Sequence, residues 1–272
     1  MPNQDNYVSE VHERRKKRRF YFFSTIILTL IYAVIVGAIS TVLRSPLFHL
    51  QKITITGNET VVDSDILSLL QSHVVRSEPI KALLGFNNIL IWPDELGAGD
   101  LIFLPSIKSF KVEKNYRERS VLVTVEERRP IGIWCFVKPQ TDAESYCWWF
   151  DDEGVIFKRA IAAQGSLIVT VNDYSQAGSG LNSKILPSDF IPSILSIFHV
   201  LQASSLNIQE IRLRDLALQE LEAATYNGPI IYFSLRFPAE NARAVIENFL
   251  AKPGFSKLQY LDFRVENRVY YK

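Results

Sequence analysis

The sequence predicts an α+β ectodomain carried on a single transmembrane helix, and three observations lead there. A charge-free run of 24 residues lies near the start, a β-α-α-β-β order follows it, and alternating strand patterns dominate the rest. The run is Phe20 to Leu43, FYFFSTIILTLIYAVIVGAISTVL. As a helix it would reach about 36 Å, more than the roughly 30 Å of a hydrocarbon core. Charges at the bilayer centre cost several kcal/mol, so their absence over this length is informative. Arg14, Arg15, Lys16, Lys17, Arg18 and Arg19 precede it and Arg44 alone follows closely. That asymmetry puts residues 1–19 in the cytoplasm as a basic tail in reach of anionic lipid. A cleaved signal peptide shares the basic start, but its apolar region is about 7–15 residues and ends in a small-x-small site. GAISTVLRSPLF matches that site poorly, so residues 20–43 are expected to stay as an uncleaved anchor.

Composition narrows the function classes. With 47% hydrophobic and 22% charged residues the chain is not a disordered one. Beyond residue 19 it carries 24 basic against 26 acidic side chains, which argues against a nucleic-acid-binding face. Cys135 and Cys147 form no C-x-x-C, and the histidines at 12, 49, 73 and 199 are scattered, so no metal site is expected.

Residues 46–129 read as one module. KITIT alternates as a half-buried strand, closed by Gly57-Asn58. Asp63 stands where an N-cap belongs, before a helix with Ile66, Leu70 and Val74 on one face. A second helical stretch is expected from Pro93 to the residue before Pro105. IKSFKVEKN and SVLVTVEER then supply two strands, burying Phe110 and Val112 in one and Val121, Val123 and Val125 in the other. Pro130 lacks a ladder donor and restricts its predecessor, so a boundary falls near residue 129.

Residues 130–272 read as a mostly antiparallel β domain with helices. IGIWCFV and SYCWWFDDEGVIFK are strands around the polar loop KPQTDAE, with a turn at Asp152-Glu153-Gly154. SLIVTVND adds a strand, and QAGSGLNSK is a loop without the phosphate-cradling pattern. Ser188 is expected to cap a helix with Ile191, Ile194, Leu195, Phe198 and Leu201 inside and His199 partly buried at the stripe's edge. Three strands, a short helix through Val245, Ile246, Phe249 and Leu250, and a final strand complete the domain. Cys135 and Cys147 flank the first hairpin nearly symmetrically, which allows a bridge; two buried thiols are the alternative.

Candidate chemistry is sparse. Asp151, Asp152 and Glu153 are the densest carboxylates, yet they sit where turns favour acids. No G-x-S-x-G, S-x-x-K or H-E-x-x-H occurs, so no enzyme, cofactor or small-molecule substrate is expected. The segment Tyr260 to Tyr271 reads instead as a sheet edge able to accept a partner strand. Leu261, Phe263 and Val265 would face the core, with Tyr260, Asp262 and Arg264 opposite and Tyr270 and Tyr271 closing the strand.

Several of these residues carry a resemblance. The β-α-α-β-β module outside an anchor is similar to a POTRA domain. KNYRERSVLVTVEERRPIGIW resembles the boundary segment of the FtsQ/DivIB family, through Val125, Glu127, Arg128, Pro130, Gly132 and Trp134. SPLFHLQKITITGN resembles that family's entry strand, and Tyr260, Asp262, Phe263 and Arg264 its closing strand. The chain departs at the turn before residue 120, where Arg117 or Glu118 replaces a usual proline, at Val265 for an aromatic, and at Glu266-Asn267 for a glycine. The resemblance implies a non-catalytic divisome scaffold linking early and late division proteins. It implies an inner-membrane, septal location and capture of an FtsB/FtsL-type complex by the edge strand. A POTRA-bearing secretion component and an anchored extracytoplasmic enzyme are the competing classes.

Overall fold

The computed structural model describes residues 4–137, 146–161, 168–176 and 178–272, with residues 4–19 described by their backbone alone. The polar loop expected at residues 138–144 and the start of the SLIVTVND pattern lie outside it. So do the Arg14, Arg15, Lys16, Lys17, Arg18 and Arg19 side chains and Ala177 of the glycine-serine loop.

Helix α1 (Gln4–Leu43) contains the apolar run. Phe20–Leu43 has a mean hydropathy of 2.6, is not buried against the rest of the chain, and is long and apolar enough to cross a membrane. Its three threonines bond within the helix. The hydroxyls of Thr25, Thr29 and Thr41 donate to the carbonyls of Phe22, Ile26 and Gly37, each at 2.8 Å. That is how threonine is tolerated where no water is available.

Beyond the helix the chain is a mixture of helices and sheets, divided into two compact units. One comprises Met1–Thr56, Leu70–Glu95 and Lys111–Thr124, the other Gly57–Leu69, Leu96–Phe110 and Val125–Lys272. The elements up to residue 127 are β1 (Lys52–Thr56), α2 (Asp63–Ser77), α3 (Pro79–Ala82), α4 (Ala98–Leu101), β2 (Ile107–Asn115) and β3 (Ser120–Glu127). They form a three-stranded sheet of order β1-β3-β2, with β1 parallel to β3. Ile66, Leu70 and Val74 of α2 are buried, as are Phe110, Val112, Val121, Val123 and Val125, so both periodicities are those of the sequence. Asp63 is the first residue of α2, and its carboxylate accepts from the Asn58 side chain at 2.7 Å.

The helix expected from Pro93 shrinks to the four residues of α4. Asp94 and Glu95 are drawn alongside β2 instead: Val112 N–H donates to the Asp94 carbonyl, and Glu95 bridges Lys111. Gly97 and Gly99 weaken the whole stretch as helix. The turn before β3 works without proline, because Asn115 Oδ1 accepts from the N–H groups of Arg117 and Glu118 and Arg119 takes φ 50°.

The nine-stranded sheet is built of β4 (Gly132–Phe136), β5 (Tyr146–Phe150), β6 (Ile156–Ala160), β7 (Thr170–Asp173), β8 (Ile208–Leu213), β9 (Glu220–Thr225), β10 (Ile230–Ser234), β11 (Tyr260–Phe263) and β12 (Tyr270–Tyr271). Its order is β12-β11-β10-β9-β8-β7-β4-β5-β6. Five neighbour pairs are antiparallel, while β4–β7, β7–β8 and β10–β11 are parallel. A parallel pair needs a crossover. Helices α5 (Ile191–Ala203) and α6 (Ala242–Leu250) are the crossovers for β7–β8 and β10–β11, while β5 and β6 lie between β4 and β7 in the chain. They bury one face of the sheet in a core that includes Trp134, Phe150, Phe198, Phe233 and Leu261. Every residue of β4 is buried, which explains why IGIWCFV is apolar without a gap.

Two helix details correct the sequence reading. Ser188 does not cap α5; it opens a 3-10 turn, and its hydroxyl accepts from Lys184 Nζ at 2.8 Å. His199 is exposed, because Leu195 before it in that row is itself only half-buried and the buried stripe centres on Ile194, Ile197 and Leu201. On the sheet face opposite the helices, Cys135 and Cys147 are joined in a disulfide between register partners, Cα atoms 4.0 Å apart, beside Ile133 and Trp149.

Candidate functional site

The residues proposed for partner binding do not form one edge strand. The segment breaks after Phe263, turns through Asn267 at φ 58°, and returns as β12 antiparallel to β11. Strand β11 is therefore internal, parallel to β10 on one side and paired with β12 on the other. The edge is the two-residue β12. Asparagine at 267 does what glycine would do in that turn, since it adopts positive φ more readily than most residues.

Burial re-sorts the seven residues. Phe263 is buried and stacked on Phe233 at 5.7 Å. Tyr260, Asp262 and Arg264 are half-buried. Val265 does not face the core; it is 46% exposed, because the strand has ended before it and the chain has begun to turn. Tyr270 and Tyr271 are 47% and 59% exposed.

Asp262 and Arg264 are bound to each other. Arg264 N–H and Nε donate to Asp262 Oδ1, both at 2.9 Å, and Nη2 donates to Oδ2 at 2.6 Å. Nη1 donates to Glu220 Oε2 at 2.8 Å, and the guanidinium lies 4.8 Å from the Tyr232 ring centroid. The side-chain bond from Arg264 holds the Asp262 carboxyl below the usual range, and that bond with the one to Glu220 raises Arg264. This is a clamp across the outer face of β9, β10 and β11. Arg264 N–H is already used, so a proline there would remove an internal bond and no edge donor.

The open backbone is on β12. Gln259 N–H donates to the Lys272 carbonyl at 2.6 Å, and Lys272 N–H to the Tyr260 carbonyl at 3.4 Å. By the alternation of an antiparallel pair, the N–H and C=O of Tyr271 point away from β11. Its ring rests on Phe249 of α6, centroids 5.0 Å apart. Beside this edge a cavity of about 240 Å³ is lined by Phe237, Val245, Phe263, Val265, Asn267 and Val269 among others. Sequence reasoning missed it because its two walls, the start of α6 and the 263–269 turn, lie some twenty residues apart in the chain.

The opposite edge, β6, is built differently. Asn182 N–H donates to the Ile156 carbonyl and Ile156 N–H to the Ser183 carbonyl, covering its start, and Lys158 and Arg159 are exposed further along. Cations on an edge disfavour strand addition. Two tyrosines do not.

The acidic triplet serves its turn. Asp151 is fully buried, pairs with Arg128, and accepts from the N–H groups of Glu153 and Val155 at 3.0 and 2.8 Å. Asp152 and Glu153 pair with Lys108 at 3.0 and 3.3 Å, and the Asp152 bond raises the Lys108 ammonium above its ordinary value. Gly154 takes φ 73° there, and a Cβ would lie 2.4 Å from Ile191 Cδ1. Among the described residues no group of three or more His, Cys, Asp or Glu side chains could hold a metal ion. No family model matches the chain, and no curated protein matches it either.

Proposed function

We propose that this chain is a membrane-anchored, non-catalytic scaffold of bacterial cell division, of the FtsQ/DivIB kind. Residues 20–43 anchor it with the basic tail in the cytoplasm, residues 46–129 act as a POTRA-type docking module beside the membrane, and residues 130–272 bind partners at the septum. The observation that carries the reading is β12, a short tyrosine-bearing edge with outward backbone groups next to a cavity of mixed, mostly apolar lining. An extended segment can add to such an edge through main-chain hydrogen bonds and seat a side chain in the cavity. Tyrosine is among the residue types enriched at binding hot spots. The resemblance names the partner class, a short bitopic protein of the FtsB type held with an FtsL type.

The test is Tyr271→Pro. Proline is tolerated on an edge strand where the lost N–H faces solvent, so the fold is expected to survive. Binding of an FtsB-type periplasmic peptide should weaken about 30-fold, the equivalent of roughly 2 kcal/mol. Cells depleted of the native chain should grow as filaments and stay filamentous when only the variant is supplied. Unchanged affinity with an intact fold removes β12 as the interface, and normal division on depletion removes the division role.

A further inference from the structure

A second exposed apolar surface lies in the first compact unit. Ile80 is 81% exposed, Leu83 73% and Leu47 75%, with Phe86 also exposed. Three of the four fall within the short stretch formed by α3 and the turn after it. Monomeric proteins seldom leave such a group uncovered without a binding role.

Hydrogen bonds fix this stretch to the end of the apolar helix and to the segment that follows it. Asn88, buried, donates from Nδ2 to the carbonyl of Leu43, the last residue of α1, at 2.7 Å. Leu50 N–H donates to the Asn87 carbonyl at 2.7 Å, and His49 bridges Asn88. Arg119 Nη1 donates to the Pro46 carbonyl at 3.2 Å, which ties the turn before β3 to the same place. The apolar stretch is thus held at the helix end by several bonds and not by one covalent link.

Reach sets its depth. Phe86 stands two positions before Asn88, so it lies within about 7 Å of that anchor point, and Leu83 within about 18 Å. A 24-residue helix exceeds the hydrocarbon core by about 6 Å, which leaves Leu43 in the headgroup zone of the membrane it spans. Leu47 follows four residues later, and Arg44 is exposed between them. Apolar side chains interleaved with cations at that depth match the composition of an interfacial segment.

We infer that Leu47, Ile80, Leu83 and Phe86 form a membrane-contacting surface that rests in the headgroup and upper acyl region of the bilayer holding α1. The inference rests on the anchor reading. It assigns this stretch a lipid ligand and gives the module a restrained height above the membrane, with the apolar helix as a first contact and this surface as a second.

The full chain, reconstituted at high lipid-to-protein ratio in phosphatidylcholine and phosphatidylglycerol vesicles with doxyl-labelled lipid, tests it. The native cysteines are joined to each other, so an introduced cysteine takes an environment-sensitive fluorophore alone. Labels at Leu83→Cys and Phe86→Cys should be quenched about twofold more than at Leu218→Cys, an exposed apolar position in the other unit. Ile31→Cys reports on the helix itself. Quenching at Ile31 with Leu83 and Phe86 no more quenched than Leu218 overturns the inference and leaves the anchor standing. No quenching at Ile31 overturns the anchor and the inference together. A Leu83 label that shifts blue as protein density rises, without lipid quenching, shows a second copy in place of lipid and also overturns it.

Discussion

At Glu127 one carboxylate organises the entry to α2. It accepts from the N–H groups of Glu59, Thr60 and Val61 at 2.8–2.9 Å and from the Thr60 hydroxyl. Burial pushes its acidity the other way, but these donors outweigh it and hold the carboxyl below its ordinary 4.5. A depressed folded value means stability that is present above about 4.5 and lost as pH falls below it. Glu127→Gln should therefore cost about 1–2 kcal/mol at neutral pH, as loss of a helix cap does, and the deficit should shrink toward pH 3. Urea midpoints of the detergent-solubilised chain across that range check it; an unchanging deficit would mean the charge is not what matters. The neighbouring Arg128 and Gly132 were legible only as pattern positions. The structure gives each a cause: Arg128 pairs with buried Asp151, and a Cβ at 132 would lie 2.8 Å from the Val169 carbonyl.

The β4–β5 hairpin is where element and covalent chemistry meet. Cys135 and Cys147 are register partners twelve residues apart, so the bridge closes a short loop. A loop of that size restricts the unfolded chain by about 3 kcal/mol in the chain-entropy account. The double variant Cys135→Ala, Cys147→Ala should lower unfolding free energy by roughly 2–3 kcal/mol. Native protein, denatured without reductant, should take up no thiol label; two labels per chain would refute the bridge. Most strands were readable because period-2 alternation with one buried face is a local signal. Helix α3, the true length of α4 and the buried 3-10 turn at Ile89–Ile91 were not, since their shape comes from neighbours such as β2 and not from their own periodicity.

For the whole molecule the proposed arrangement is one anchor followed by units outside the cytoplasm. Six cations before the span and one just after it predict that Lys272 lies outside the cytoplasm. A phosphatase reporter fused after Lys272 should be active and a cytoplasm-dependent fluorescent reporter there dark. The reverse pattern, or a mature chain beginning near residue 44, would sink the topology.

The sequence by itself determined the apolar span, the α+β class, the buried faces of α2, β2 and β3, and the resemblance through residues 125–134. These are written in short-range periodicity, charge and composition, which need no knowledge of what lies across the fold. Tertiary structure alone decided that β11 is internal and β12 is the edge, that Val265 is exposed, and that Asp262 and Arg264 clamp each other with Glu220. It alone brought α6 and the 263–269 turn together as a cavity, and α3 to the end of the span. Each depends on which strand becomes whose neighbour. Parallel pairing of β10 with β11 across a helix is a long-range choice, settled by burial of Leu261 and Phe263 against the shared core.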